Sequence, residues 1–130
     1  MGKRSSSRRI AMQAIYQSDV SGIDIEKALD NLFEEEKLNE ETRSFAKRLA
    51  VGAQGNKASI DEKIAGMSKN WSIGRINAIN RSILKLALYE LENEDTPKAV
   101  IIDEALELAK RYSDDESAKF INGILDSAVV

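Results

Sequence analysis

Apolar residues recur at helical spacing along almost the whole chain, with polar and charged residues between them. No segment alternates in the manner of a strand, and the Asn-Gly pair at 122–123 lies inside a helical pattern rather than between strands. The pattern therefore predicts an all-α protein of about seven helices. They cover about residues 7–20, 24–36, from 39 onward, 57–69, 73–92, 97–112 and from 113 or 114 onward.

Start and stop signals support these bounds. Asp24 and Asn39 are good N-cap residues, because a side-chain oxygen can accept a hydrogen bond from a free amide of the first turn. Thr96 and Pro97 predict an N-cap followed by the first helical residue. Gly22 is expected to end the first helix.

The apolar stripes predict how the helices pack. The fifth helix is apolar around most of its circumference, so we expect it to lie centrally, with neighbours on several sides. Gly52 in the third helix either permits a close crossing or is simply tolerated. The first helix should face the core with Ile10, Ala11, Ala14, Ile15 and Ser18.

Short predicted loops favour antiparallel neighbours and a single domain over residues 1–130. Within it we expect two small sub-bundles that share a core, at about residues 5–56 and 57–128.

Composition narrows the possible chemistry. Apolar residues make up 42% and charged residues 32% of the 130 residues, which is typical of a globular domain. The chain has no cysteine and no histidine, so disulfides, histidine acid–base chemistry and ordinary zinc sites are excluded. No cofactor or metal is expected. No run approaches the roughly 20 apolar residues of a membrane span, and the basic start lacks the apolar stretch of a secretory signal. A cytoplasmic protein without membrane contact is therefore expected.

Charge is distributed unevenly although the net charge is only −3. Residues 1–18 carry Lys3, Arg4, Arg8 and Arg9 and no acid, whereas residues 24–41 carry eight acids against two lysines. This pattern is typical of a basic, anion-binding end on an acidic body. The alternative is a solvated, frayed N-terminus.

The first helix carries the strongest candidate surface. At 100° per residue, Arg9, Gln13 and Tyr16 fall on one stripe opposite the core stripe, with Met12 beside it. Guanidinium groups pair with phosphates, an amide can contact base edges, and an aromatic ring can stack on an unpaired base. The alternative is that another helix covers Met12 and Tyr16. We predict that RNA contacts the following residues: Lys3, Arg4, Arg8, Arg9, Gln13 and Tyr16.

The fifth helix contains polar residues of a different kind. Glu90 falls in its apolar sector, so the carboxylate needs a partner, for which we expect the free amides of the helix start near Pro97. Arg81, Lys85 and Tyr89 are predicted to form an exposed strip that contacts a protein partner, with ordinary solvent exposure as the alternative.

Several motifs of the second half resemble the NusB family, in the same order and at the same spacing. They are Asn70-Trp71-Ser72, the run from Ile83 to Leu91 (ILKLALYEL), Pro97, the run from Ile102 to Lys110 (IDEALELAK) and the run from Ser117 to Asp126 (SAKFINGILD). The first half is similar at Arg8, Ala11, Ala14, Tyr16, Phe45 and Gly52. Asp103 and Lys85 stand where the family usually has asparagine and arginine.

The resemblance implies an all-helical, non-catalytic protein that binds single-stranded boxA RNA. It also implies a small ribosomal-subunit protein, NusE, as partner, and an RNA polymerase complex that reads through terminators, notably in ribosomal RNA operons. With the resemblance, Lys119 and Phe120 are expected to form a second RNA contact, whereas Phe120 would otherwise be taken as a packing residue. Asn122 either contacts a base or tethers a loop, and Glu116 should repel phosphate and weaken RNA binding.

Two other functions compete with this hypothesis. NusB-like domains also occur fused to RNA cytosine methyltransferases, although a chain that ends at Val130 favours a free-standing factor. The third hypothesis is a helical adaptor that binds only proteins. The sequence contains no phosphate-cradling glycine loop, no dinucleotide-binding motif and no metal-ligand cluster, so no motif favours an enzyme. The sequence leaves homodimerisation open.

Overall fold

Seven helices make up most of the computed structural model, which describes residues 3–68 and 76–128. These two ranges contain no strand, and the predicted all-α class is confirmed. The helices are α1 (Lys3–Ser21), α2 (Ile25–Glu35), α3 (Glu40–Gly55), α4 (Lys57–Met67), α5 (Ala78–Asn93), α6 (Lys98–Tyr112) and α7 (Asp115–Ser127).

Side-chain caps begin four of the helices. Asp24 Oδ2 accepts a hydrogen bond from the backbone amide of Glu26, and Asn39 Oδ1 accepts one from Thr42, as predicted. Asp114 caps α7 in the same way. Asn77 caps α5 through the amide of Asn80, a start that the apolar pattern had placed earlier, at 73. That earlier start lies outside the described residues, as does the predicted end of α4 at 69.

One predicted helix start is wrong by one residue. Pro97 occupies the N-cap position of α6 rather than the first helical position, and Thr96 makes no cap. Pro97 has φ −58° and ψ 140°, so its backbone is extended, and the helix begins at Lys98.

The central position predicted for the fifth helix is confirmed. α5 packs against α1, α3, α4, α6 and α7, and its Ile83 and Leu84 are completely buried. On one side α1 packs against α2 and α3, and on the other α6 packs against α7. The separation into sub-bundles at 5–56 and 57–128 stays a prediction.

The first helix is buried on more of its circumference than its apolar stripe predicts. Ile10, Ala11, Ala14 and Ile15 are in the core as expected, and Ser18 is half-buried. Met12 was expected on the outward face but is also buried, because α1 is packed between several helices at once. Only a narrow strip of α1 therefore remains accessible.

Gly52 of α3 lies directly against the Tyr89 side chain of α5. A Cβ atom added at Gly52 would overlap the ring and hydroxyl of Tyr89, so the absent side chain makes room for the tyrosine. Gly52 is therefore not simply tolerated, because the ring of Tyr89 occupies the space that a side chain would need. Gly55, one turn later in the same helix, has no atom near the position of such a Cβ.

We expect Gly52→Ala to lower the free energy of unfolding by about 1–3 kcal/mol, because the added methyl group forces the Tyr89 ring out of its place. Gly55→Ala is the matched control and should leave stability unchanged or raise it by up to about 1 kcal/mol, because alanine favours the helix. Urea unfolding of both variants measures the difference. Equal stability of the two would mean that the ring moves aside freely.

Candidate nucleic-acid interface

The outward strip of α1 forms one side of an open groove of about 580 Å³. Arg9, Gln13 and Tyr16 line it together, as their spacing predicts. The other lining residues come from α1, α2, α5 and α6, and Glu36 among them directly follows α2. They are Ile10, Met12, Gln17, Leu32, Glu35, Glu36, Ile79 and Tyr112. We call this surface the α1 groove.

The positive charge in the α1 groove is already paired. Nη2 of Arg9 donates to both carboxylate oxygens of Glu36 at 2.7 Å, and the Arg9 side chain is only 14% exposed. Gln13 Nε2 lies 3.5 Å from the hydroxyl of Tyr112, which is the outer limit of a hydrogen bond. An anion that enters the groove must therefore compete with Glu36 for Arg9, whereas Gln13 is held only by a long contact to Tyr112.

Arg8 lies in the interior, which contradicts its predicted place on the RNA-binding flank. Its Nε and Nη2 donate to the two carboxylate oxygens of Glu90 at 2.8 and 2.7 Å, and Nη1 lies 3.2 Å from Glu104. Burial alone would lower the pKa of Arg8, but the bonds to Glu90 and the charge of Glu104 raise it above its usual value. The partner of Glu90 is therefore Arg8, and the predicted pairing with the amides near Pro97 is wrong.

The start of α1 is held against α3. The guanidinium of Arg4 lies 4.1 Å from the ring centroid of Phe45, and Ser7 donates to the carbonyl of Thr42 at 2.8 Å. Arg4 is exposed on its other side and can reach an anion from there. Lys3 belongs to α1, but its side chain lies outside the described part of the chain.

The residues predicted on α7 are divided between two surfaces. Phe120 and Glu116 line a cavity of about 310 Å³, together with Asn77 and Asn80 of the α5 start. Lys119 and Asn122 line a separate groove of about 440 Å³, where Leu106 and Lys110 of α6 form the other wall. Phe120 is partly buried and packs against the core, so its ring is at least in part a packing group.

The strip expected to contact a protein partner is buried at Lys85 and half-buried at Arg81 and Tyr89. Lys85 is completely buried, and its Nζ lies 2.5 Å from Oδ2 of Asp19. Tyr89 is half-buried over Gly52, and Arg81 is half-buried as well. The predicted exposure is wrong at Lys85, because α1, α3 and α4 all pack on α5. Contact of Arg81 and Tyr89 with a protein partner stays a prediction.

Asp19 is the centre of a buried polar cluster that joins α1 to α3, α4 and α5. Besides Lys85, it accepts hydrogen bonds from Gln54 at 2.8 Å and from Lys57 at 3.1 Å. Burial by itself would raise the pKa of Asp19, but the bonds from Lys85, Gln54 and Lys57 hold it below the usual 3.8.

Two groove residues had no signal in the sequence. Glu36 is 27 positions from Arg9, and Tyr112 is 99 positions from Gln13, so neither pairing follows from a helical wheel. In residues 3–68 and 76–128, no group of three or more acidic, cysteine or histidine side chains is arranged to hold a metal ion. Within the same ranges, no helix combines the length and apolar character of a membrane span.

The sequence matches the NusB family model over residues 5–129, and the chain therefore belongs to the NusB family. It is 40% identical to the transcription antitermination protein NusB of Clostridium botulinum (strain Kyoto / Type A2), over 97% of this chain and 99% of that protein. It is 43% identical to the protein of the same name from Bacillus cereus (strain B4264), over 96% and 95% of the two chains.

Solved structures show the same fold. A chain in a crystal structure of a plectonemic RNA supercoil superposes with a TM-score of 0.92 at 28% identity, over 98% of this chain and 94% of that one. A chain in a crystal structure of the antitermination factors NusB and NusE in complex with double-stranded RNA superposes with a TM-score of 0.87 at 26% identity, over 96% and 94%.

Proposed function

We propose that this protein is a non-enzymatic transcription antitermination factor that binds single-stranded, boxA-type RNA together with a NusE-type small ribosomal-subunit protein. In this role it joins an RNA polymerase complex in the cytoplasm and promotes read-through of terminators, notably in ribosomal RNA operons. Membership of the NusB family supports the role in antitermination. The neighbouring structure that contains NusB, NusE and RNA supports both partners.

The observation that carries RNA binding is the α1 groove, where Arg9, Gln13 and Tyr16 lie side by side on an open surface. A cation, an amide and an aromatic ring are the groups that bind an unpaired RNA strand. Lys119, on a groove of its own, and the exposed Arg4 extend this proposal to further phosphate contacts, and Asn122 on the groove of Lys119 is available to contact a base. The buried Arg8 is not among the proposed contacts. Phe120 is retained as a packing residue that also contacts RNA, and Glu116 beside it should weaken binding.

The protein alone should bind RNA weakly, because it carries a net charge of −3 and its groove arginine has an internal partner. The partner protein should add RNA contacts, so saturating NusE should tighten RNA binding. By linkage, RNA should tighten the protein pair by the same factor.

We expect Tyr16→Ala to weaken binding of a single-stranded boxA RNA by about 1–3 kcal/mol, because one base loses its stacking surface. Tyr16 is half-exposed, so the variant should remain folded. Fluorescence anisotropy with saturating NusE measures the change, and Val100→Ala, at an exposed position outside the α1 groove, is the control. Unchanged RNA affinity in Tyr16→Ala would show that Tyr16 is not part of the interface. If the unmodified protein shows no salt-dependent RNA binding, the alternative of a helical adaptor that binds only proteins is favoured.

A further inference from the structure

The ion pair between Arg9 and Glu36 lies on the surface that the proposed function assigns to RNA. Both carboxylate oxygens of Glu36 lie 2.7 Å from Arg9 Nη2, where the phosphate oxygens of a nucleic acid would otherwise bind. The Glu36 side chain is 43% exposed and both partners line the α1 groove, so the pair is open to competition from solvent.

The location of Glu36 in the fold has a cost that packing does not explain. α2 ends at Glu35, Glu34 and Glu35 lie in its last turn, and Glu36 is its C-cap. Carboxylates are disfavoured at the C-terminal end of a helix, where the backbone dipole is negative, and this last turn contains no basic residue. Glu36 already has an extended backbone (φ −138°, ψ 131°), so the helix does not fix the direction of its side chain.

The electrostatic consequence concerns the choice of ligand. Among the described residues that line the α1 groove, Arg9 is the one cation and Glu35 and Glu36 are carboxylates, so the charge of these residues does not favour anions. The carboxylate of Glu36 is held beside Arg9 by the chain itself, so it competes as an intramolecular ligand with any anion from solution. A single small anion therefore gains little by displacing it, whereas a polyphosphate chain held at several points can offset the loss of the internal pair.

Resting on the proposed RNA-binding role of the α1 groove, we infer that Glu36 is a selectivity residue that competes internally with phosphate for Arg9. Glu36 excludes isolated anions from Arg9 and admits a nucleic-acid strand that makes further contacts. The pair thus sets the affinity of the groove below the value that Arg9 alone would give.

The test compares Glu36→Gln with Glu34→Gln, a variant of equal charge change at an exposed residue outside the α1 groove. Glu36→Gln should bind a single-stranded boxA RNA about threefold or more tighter than Glu34→Gln does, since it releases a partly exposed ion pair. Equal RNA affinities of the two variants would overturn the inference.

A double-mutant cycle separates this mechanism from general charge repulsion. In an Arg9→Gln background, Glu36→Gln should change RNA affinity no more than Glu34→Gln does. An equally large gain without Arg9 would show that Glu36 acts by long-range repulsion, contrary to the inference. Titration with inorganic phosphate, followed by the side-chain NMR signal of Arg9, should show binding in Glu36→Gln at concentrations that leave the unmodified protein unchanged.

The same measurements distinguish failure of the proposed RNA-binding function from failure of the selectivity role of Glu36. If the unmodified protein with saturating NusE does not bind RNA, the proposed function fails. If it binds, and Arg9→Gln weakens binding while Glu36→Gln behaves like Glu34→Gln, only the selectivity role of Glu36 fails.

Discussion

Replacing Arg8 with methionine is expected to lower the free energy of unfolding by about 3–5 kcal/mol, because it leaves the carboxylate of Glu90 buried without its partner. Glu90 is 1% exposed and Arg8 is 4% exposed, and two hydrogen bonds of 2.7 and 2.8 Å join them. Chemical denaturation followed by circular dichroism measures the loss. Arg9→Met, at the neighbouring arginine, removes only a partly exposed pair and should cost at most about 1 kcal/mol.

A second substitution tests whether the loss comes from the unpaired charge. In Arg8→Met combined with Glu90→Leu, both charges are replaced by apolar groups of similar size, and most of the lost stability should return. If the double variant is less stable than Arg8→Met, the pair contributes through packing or geometry rather than by satisfying Glu90. If Arg8→Met alone is as stable as Arg9→Met, Glu90 has another way to be satisfied.

Replacing Lys85 with methionine is expected to cost a similar amount, about 3–5 kcal/mol, because Asp19 is then a buried carboxylate without its closest cation. Lys57 offers a matched control, since it is bonded to the same aspartate but is half exposed. Lys57→Met should cost at most about 1 kcal/mol. Equal losses in the two variants would contradict the importance of burial at Lys85.

The same cluster gives the stability a defined dependence on pH. The pKa of Asp19 is lower in the folded protein than the usual 3.8, so the unfolded chain binds a proton more readily. The contribution of the cluster is fully present above about pH 4 and is lost as the pH falls through the lowered folded pKa. The stability difference between the unmodified protein and Asp19→Asn should therefore shrink on acidification below pH 4.

Sequence patterns within a single helix predicted the positions of the helices well, but they predicted the exposure of the charged side chains poorly. The caps at Asp24 and Asn39, the apolar circumference of α5 and the stripe of Arg9, Gln13 and Tyr16 all follow from the spacing of residues within one helix or its first turn. Each can be obtained from the sequence because the interacting groups are at most a few residues apart.

Burial of the charged residues could not be predicted in this way. A helical wheel gives the direction of Arg8 and Lys85 but not what packs on them, and their partners lie 82 and 66 positions away. Lys85 does lie on a polar strip of α5, but carboxylates of α1 and α4 take the place of water around it, with Asp19 at 2.5 Å and Asp61 at 4.0 Å. The rule that charged residues are exposed holds unless a partner is supplied from elsewhere, and one sequence does not reveal that partner.

The two buried ion pairs also fix the direction in which α1 and α5 run. Along α1 a positive residue, Arg8, precedes a negative one, Asp19, and along α5 the positive Lys85 precedes the negative Glu90. Opposite charges meet only when the helices are antiparallel, as Arg8 with Glu90 and Asp19 with Lys85. A parallel arrangement would bring like charges together in the interior at both ends. A compact chain with α1 and α5 parallel is therefore destabilised at two places by buried like charges. These four side chains thus favour the antiparallel direction of the central helix pair.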